Sequence, residues 1–290
     1  MGYTDHKTGI HAQKLLALQR ENGAWGHFHS LSESSGAPVT TEQALRRLER
    51  LGFTENDPPV CAALHYMHNC LAGSESLPDR REKTHDWELF TRTILSAWIC
   101  RFTQSDALAN DMAQKWGQTV SAAYESGRYD HRAYVAAYTK NLGTKPFGAR
   151  LTDFAAFYQI SLVSTTLDKR VEQAFFSDMV NRSSGIYYVY GGALTKPPSD
   201  FCTKEASRYL AAVELMLSYK SAFCCALLAP AAQWLKSYQG ADGLWDMGAG
   251  AKDGVYFPLS DSWRKAEDRK RDCSERIARI LHQLDRSPFP

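Results

Sequence analysis

Apolar residues recur at intervals of three and four along most of this chain, broken by short polar or glycine-rich segments, which is the pattern of packed helices. Residues 10–18 form the first run, preceded by Thr8 as a cap. Thr40, Thr41 and Glu42 open a second that runs to Leu51 and stops at Gly52. Asp57-Pro58-Pro59 is a helix-start signal for residues 60–71. Residues 84–102 make the longest unambiguous helix, with Trp87, Phe90, Ile94, Leu95, Trp98 and Ile99 at helical spacing and so little polarity opposite that burial on more than one side is expected. Further helices are expected over 106–126, 130–138, 150–162, 168–179, 201–219 and 222–238, with Pro230 marking a kink or a first turn. A last one, over 272–284, places Ile277, Ile280, Leu281 and Leu284 on one face behind a strongly charged entry over 261–270. Residues 30–38 and 73–83 read as loops. The aromatic stretch 185–192 alternates like a short strand but has no evident pairing partner. No interdomain linker stands out, so residues 1–290 are expected to form one domain.

Two of the breaks share a pattern, Q-x-x-[ND]-G-x-W. It occurs as Gln19, Asn22, Gly23 and Trp25, and again as Gln239, Asp242, Gly243 and Trp245. In each, Asn or Asp followed by Gly is a helix stop, since glycine accepts the left-handed backbone that a side chain resists. The tryptophan two residues on can fold back over the helix end. Gly127 and Gly185, each followed two residues later by Tyr129 or Tyr187, keep a reduced form. With Gly73 filling the remaining gap without an aromatic, the spacing implies about five helical hairpins.

Composition narrows the class. The chain has 290 residues, 44% of them hydrophobic, with 34 basic and 32 acidic residues, so it can bury a large core and carries no long-range attraction for nucleic acid or an anionic membrane. The first seven residues lack the apolar core of a secretory signal, and no stretch reaches the roughly 20 apolar residues of a membrane span. Seven cysteines, two of them the adjacent Cys224 and Cys225, fit reduced thiols and a cytoplasmic location better than a disulfide framework.

The paired Gln, Asn or Asp, Gly and Trp turns resemble the repeats of the prenyltransferase and terpene cyclase superfamily, which includes squalene-hopene cyclases. That resemblance implies an α/α toroid of helical hairpins round a central cavity, with Gln19, Trp25, Gln239 and Trp245 as structural ties between helices. The superfamily's catalytic signatures do not accompany the turns. No Asp-x-Asp-Asp or Asp-Asp-x-x-Asp sequence occurs, and Asp272-Cys273 is followed by His282 alone, which gives no ground for carrying over the zinc site of protein prenyltransferases.

Candidate chemistry is spread along the chain. Cys61, His65 and His68 share a helical face, but Cys61 and His68 are about 10.5 Å apart along the axis, too far to meet one ion. His27 and His29 flank Phe28 in the loop after the first turn, where imidazoles suit proton transfer. His85 and Asp86 open the long helix, where the Asp86 carboxylate suits cation or hydroxyl binding. Trp87, Tyr134, Tyr158 and Tyr188 are candidate substrate-binding aromatics within a larger set that could equally fill a core. Asp86, Asp130 and Asp153, with Glu205 and Asp261, are candidate carboxylates for glycosidic chemistry, which needs two such groups about 6.5–9.5 Å apart in the inverting case. The charged run 264–271 mixes signs and reads as a solvated face. Glycines 248, 250 and 254 lack the ending of a phosphate-binding loop.

The resulting expectation is an all-α, toroid-like chain that binds or transforms a hydrophobic small molecule, with His85, Asp86, Asp130 and Asp153 as catalytic candidates and His27 beside the four aromatics. Two alternatives stay open: a noncatalytic helical-repeat scaffold for a peptide or protein, and a carbohydrate-active toroid. No cofactor, metal, nucleic acid or membrane span is expected.

Overall fold

A computed structural model describes residues 6–29, 36–147 and 153–285 and is all-α. Among the described residues there are twelve α-helices and no strand, and none of the helices is long and apolar enough to cross a membrane. All seven cysteines are free thiols. Contacts gather the chain into two compact units, the described residues of Met1–Ala113 with Leu259–Asp261, and those of Gln114–Pro258 with Ser262–Pro290.

The first unit holds α1 (Ile10–Leu16), α2 (Thr41–Arg50), α3 (Pro58–Ala72), α4 (Trp87–Phe102) and the start of α5 (Ala107–Ala122). Its helix starts follow from local chemistry. Thr40 accepts from the Gln43 N–H while the Gln43 side chain accepts from the Thr40 N–H, a reciprocal cap on α2. Prolines in the first turn of α3 forgo only N–H groups that would lack helical partners anyway. α3 and α4 pack together, as do α1 and α2, over a core that includes Trp25, Phe28, Leu45, Ile94 and Trp98. The double-sided burial expected of α4 is realised over 93–99, where every residue is buried.

The second unit holds the rest of α5, then α6 (His131–Leu142), α7 (Phe157–Leu162), α8 (Glu172–Asn181), α9 (Lys204–Leu217), α10 (Ala222–Leu227), α11 (Ala229–Ser237) and α12 (Ala266–Asp285). Its core is aromatic: Tyr124 meets Phe154 and Phe175 edge to face, and Phe176 meets Tyr219 likewise. Pro230 lies in the first turn of α11 rather than at a kink within one long helix. α12 begins at Ala266, earlier than the apolar pattern alone places it, because its charged entry is helical and paired along one side, as in Arg271 with Asp268. The aromatic segment after α8 does find a partner: Tyr187 N–H donates to Ala155 and its carbonyl accepts from Phe157, one isolated bridge rather than a strand. The expected start of a helix at 150 and part of the loop 30–38 lie outside the described residues.

The two full turn motifs have the same internal geometry. Trp25 Nε1 donates to Leu15 O at 2.7 Å, and Trp245 Nε1 donates to Leu235 O at 2.7 Å, each closing onto the helix ten residues back. Gln19 Nε2 donates to Gly23 O at 3.0 Å and Gln239 Nε2 to Gly243 O at 2.8 Å. The Arg20 N–H meets Ala24 O and the Gly240 N–H meets Leu244 O, both at 2.8 Å. Both glycines are left-handed, with φ of 90° and 77°. Each turn also ties its helix to a following one, since the Trp25 N–H donates to Thr41 Oγ1 at the head of α2 and the Trp245 N–H to Ser274 Oγ on α12, both at 2.9 Å. Gly73, Gly127 and Gly185 are left-handed as well, but Tyr129 and Tyr187 do not reproduce the buried indole clamp. Tyr129 is exposed and its hydroxyl pairs with His131 instead.

Candidate functional site

The expected site residues fall into separate places. In the first unit, the loop 27–29 is held from two sides. The α2 N–H groups of Thr41 and Glu42 donate to the carbonyls of His27 and Phe28, and the Asp79 carboxylate accepts from the N–H groups of Phe28 and His29. His29 Nδ1 lies 2.9 Å from Glu42 Oε2, and Arg46 bonds the other Glu42 oxygen. Phe90 on α4 receives both His29 and His85 edge-on, at ring-centroid separations of 5.3 and 4.8 Å. Trp87 packs against the same His85 and Phe90.

The two imidazoles are pushed apart. Burial pulls His29 down, but the hydrogen bond and charge of Glu42, backed by Asp79 and Glu82, hold it above its ordinary value. Burial lowers His85, and Glu82 only partly opposes it. The His85 side chain is 2% exposed, and its Nε2 has no hydrogen-bond partner among the described residues. Asp86 is the N-cap of α4, accepting from the Leu89 N–H at 3.0 Å. His27 is buried.

In the second unit, Asp130 caps α6 through the N–H groups of Arg132 and Ala133. Asp153 pairs with Arg182, whose Nη1 lies 3.1 and 3.0 Å from its two oxygens, and Arg182 Nη2 reaches Asp178 at 2.8 Å. Tyr124 donates to the same Asp178 oxygen. Of this network Asp153 and Arg182 line a cleft of about 660 Å³ beside α6, together with Tyr129, His131, Tyr134, Val135 and Phe147, and with Lys145 and Pro146. The arrangement can seat a drug-sized molecule, in the volume range of ordinary ligand sites. Burial raises the phenols of Tyr129 and Tyr134, so both stay neutral at physiological pH. Tyr158 is buried in the core with its ring centroid 5.4 Å from that of the exposed Tyr188, and neither lines this cleft.

Sequence reasoning placed Asp153 and Tyr134 among its candidates but missed Arg182, Tyr129, His131, Lys145 and Phe147. Asp178 and Arg182, four apart across the end of α8, gave a usable signal of an ion pair. Asp79, which pins the loop 27–29 from a segment without periodicity, gave none. Of the metal candidates, Cys61 is exposed and His68 bonds Asp106. No group of three or more His, Cys, Asp or Glu able to hold an ion occurs among the described residues. Comparison of the chain with protein-family models, with curated proteins and with solved structures finds no match in any of the three.

Proposed function

We propose that this chain is a helical-repeat protein of the α/α-toroid kind that binds an apolar small molecule in the cleft beside α6. The observation that carries the binding reading is the cleft itself: about 660 Å³, with two tyrosines, a valine, a proline and a phenylalanine on its walls and an ion-paired floor. The toroid reading rests on the resemblance of the Trp25 and Trp245 turns to the prenyltransferase and terpene cyclase repeats, and gains support from their matching hydrogen bonds. Cytoplasmic residence belongs to the same reading and is favoured by the free thiols.

Binding without hydrolysis is preferred because Asp86 and Asp130 already serve as helix caps and Asp153 is held by Arg182. A scaffold role is the second reading, favoured by the 50% exposure of Phe147 and by a more open groove along α6 lined by His131, Arg132, Val135, Ala136, Thr139 and Lys140. The test is Nile red fluorescence with wild-type protein and Val135→Trp, which fills the cleft. Bright binding lost in the variant supports the ligand reading, and equal binding by both proteins contradicts it.

A further inference from the structure

Resting on the scaffold reading, we infer that the groove along α6 takes an acidic amphipathic helix of a partner protein. α6 is anchored from one side, where Tyr138 meets Trp116 and Tyr134 meets Phe154, and these two tyrosines are its buried residues. At about 100° per residue the far side carries Arg132, Val135, Ala136, Thr139 and Lys140, which line the groove with His131. Its middle is mostly carbon: Val135, Ala136 and a Thr139 whose hydroxyl already donates to the Val135 carbonyl at 2.9 Å. Apolar positions three and four apart on one helix fit the matching face of a second. Past the end of α6, the exposed Phe147 continues the apolar surface.

The partner's charge follows from the cations that frame this strip. Arg132 and Lys140 stand about 12 Å apart along the helix axis, and no carboxylate lines the groove. Neither has an ion pair or side-chain hydrogen bond among the described residues, and neither has Lys145 in the adjoining cleft. Over the two linings together, Arg132, Lys140, Lys145 and Arg182 against Asp153 leave plus three with the histidines neutral. Asp130 adds one negative charge at the head of α6, where its cap bonds already use it. In a chain of 34 basic and 32 acidic residues this is a local excess. Glu or Asp flanking an apolar stripe, seven or eight positions apart, would meet both groove cations at once. A bare polyanion would leave the carbon between them unused, and the α6 strip has none of the Trp, Phe or Leu that bury in a bilayer.

The test is a phage-displayed library of random peptides of about 16 residues, roughly 24 Å as a helix, selected on the whole protein. Enriched peptides are then measured by fluorescence anisotropy against wild type, the charge-reversed Arg132→Glu/Lys140→Glu and the groove-filling Ala136→Trp, with thermal melting to check folding. The expected winners carry Asp or Glu beside apolar residues at helical spacing, weaken at least about tenfold on both variants, and lose affinity as salt is added. A scrambled peptide of the same composition should bind at least about tenfold more weakly; equal binding would overturn the helical partner. Basic or uncharged winners that Ala136→Trp still blocks would overturn the partner's charge while leaving the scaffold reading in place. Winners indifferent to Ala136→Trp, or no enrichment at all, would remove that reading and this inference with it. Sedimentation with phosphatidylglycerol vesicles that the charge-reversed variant abolishes, with no peptide selected, would assign the cations to a lipid surface instead.

Discussion

Gly23 and Gly243 occupy the same turn position and the same left-handed backbone, yet their surroundings differ. A Cβ at Gly23 would sit 2.4 Å from the Ala62 carbonyl oxygen on α3, whereas one at Gly243 would meet only the end of Gln239 at 4.0 Å. Gly243→Ala is therefore expected to cost only the left-handed penalty, about 1–2 kcal/mol, and Gly23→Ala clearly more, as measured by urea denaturation. Equal losses would mean that the first turn does not press on α3. Trp25→Phe keeps most of the buried ring and removes the indole donor, while Leu15 O keeps the Leu18 N–H, for an expected loss of about 0.5–1.5 kcal/mol, and Trp245→Phe should lose a similar amount, since Leu235 O keeps the Tyr238 N–H. At this scale the sequence was most readable where backbone geometry demands a residue type, as at the two Asn/Asp-Gly-x-Trp turns. It was least readable where a side chain acts across the fold: nothing near Asp153 in sequence announces Arg182, 29 residues on.

Helix ends explain much of what the candidate carboxylates do. Asp86 and Asp130 were conspicuous because they precede helices, and the same position makes them caps. Asp86→Asn, which can still accept the Leu89 N–H, is expected to keep stability nearly intact, while Asp86→Ala loses about 1 kcal/mol; a thermal melt of both variants decides whether the group acts as a cap. The histidines beside α2 and α4 give a pH signature. His29 is raised above its ordinary 6.5 in the folded protein, so its stabilising contribution is complete below 6.5 and is lost as pH rises through the raised value. His85 is lowered, so its contribution is present above 6.5 and is lost as pH falls through the lowered value. Denaturation across this range should show His29→Gln removing the alkaline-side decline and His85→Gln removing the acid-side one; unchanged slopes would contradict the pairing of His29 with Glu42. Apolar periodicity found these helices well, but it started α12 too late because charged side chains carry its first turn.

For the molecule as a whole, the all-α character was legible because helical spacing dominates from residue 10 onward and breaks fall at glycine, proline and capping residues. The count of hairpins was less so: left-handed glycines recur at 73, 127 and 185, but only the outer two turns carry the tryptophan that makes the repeat recognisable. The aromatic residues were ambiguous for a physical reason, since the same rings can fill a core or line a site. Phe154, Tyr158 and Trp98 became core, while Tyr129, close in composition and context, became a cleft wall. The most direct test of a ligand-binding role is a crystal structure of the protein purified gently enough to keep what it binds, with mass spectrometry of the released material. The expected result is density for a small molecule between Tyr129, Tyr134 and Phe147; a cleft holding only solvent, with a captured molecule seated elsewhere, would contradict it.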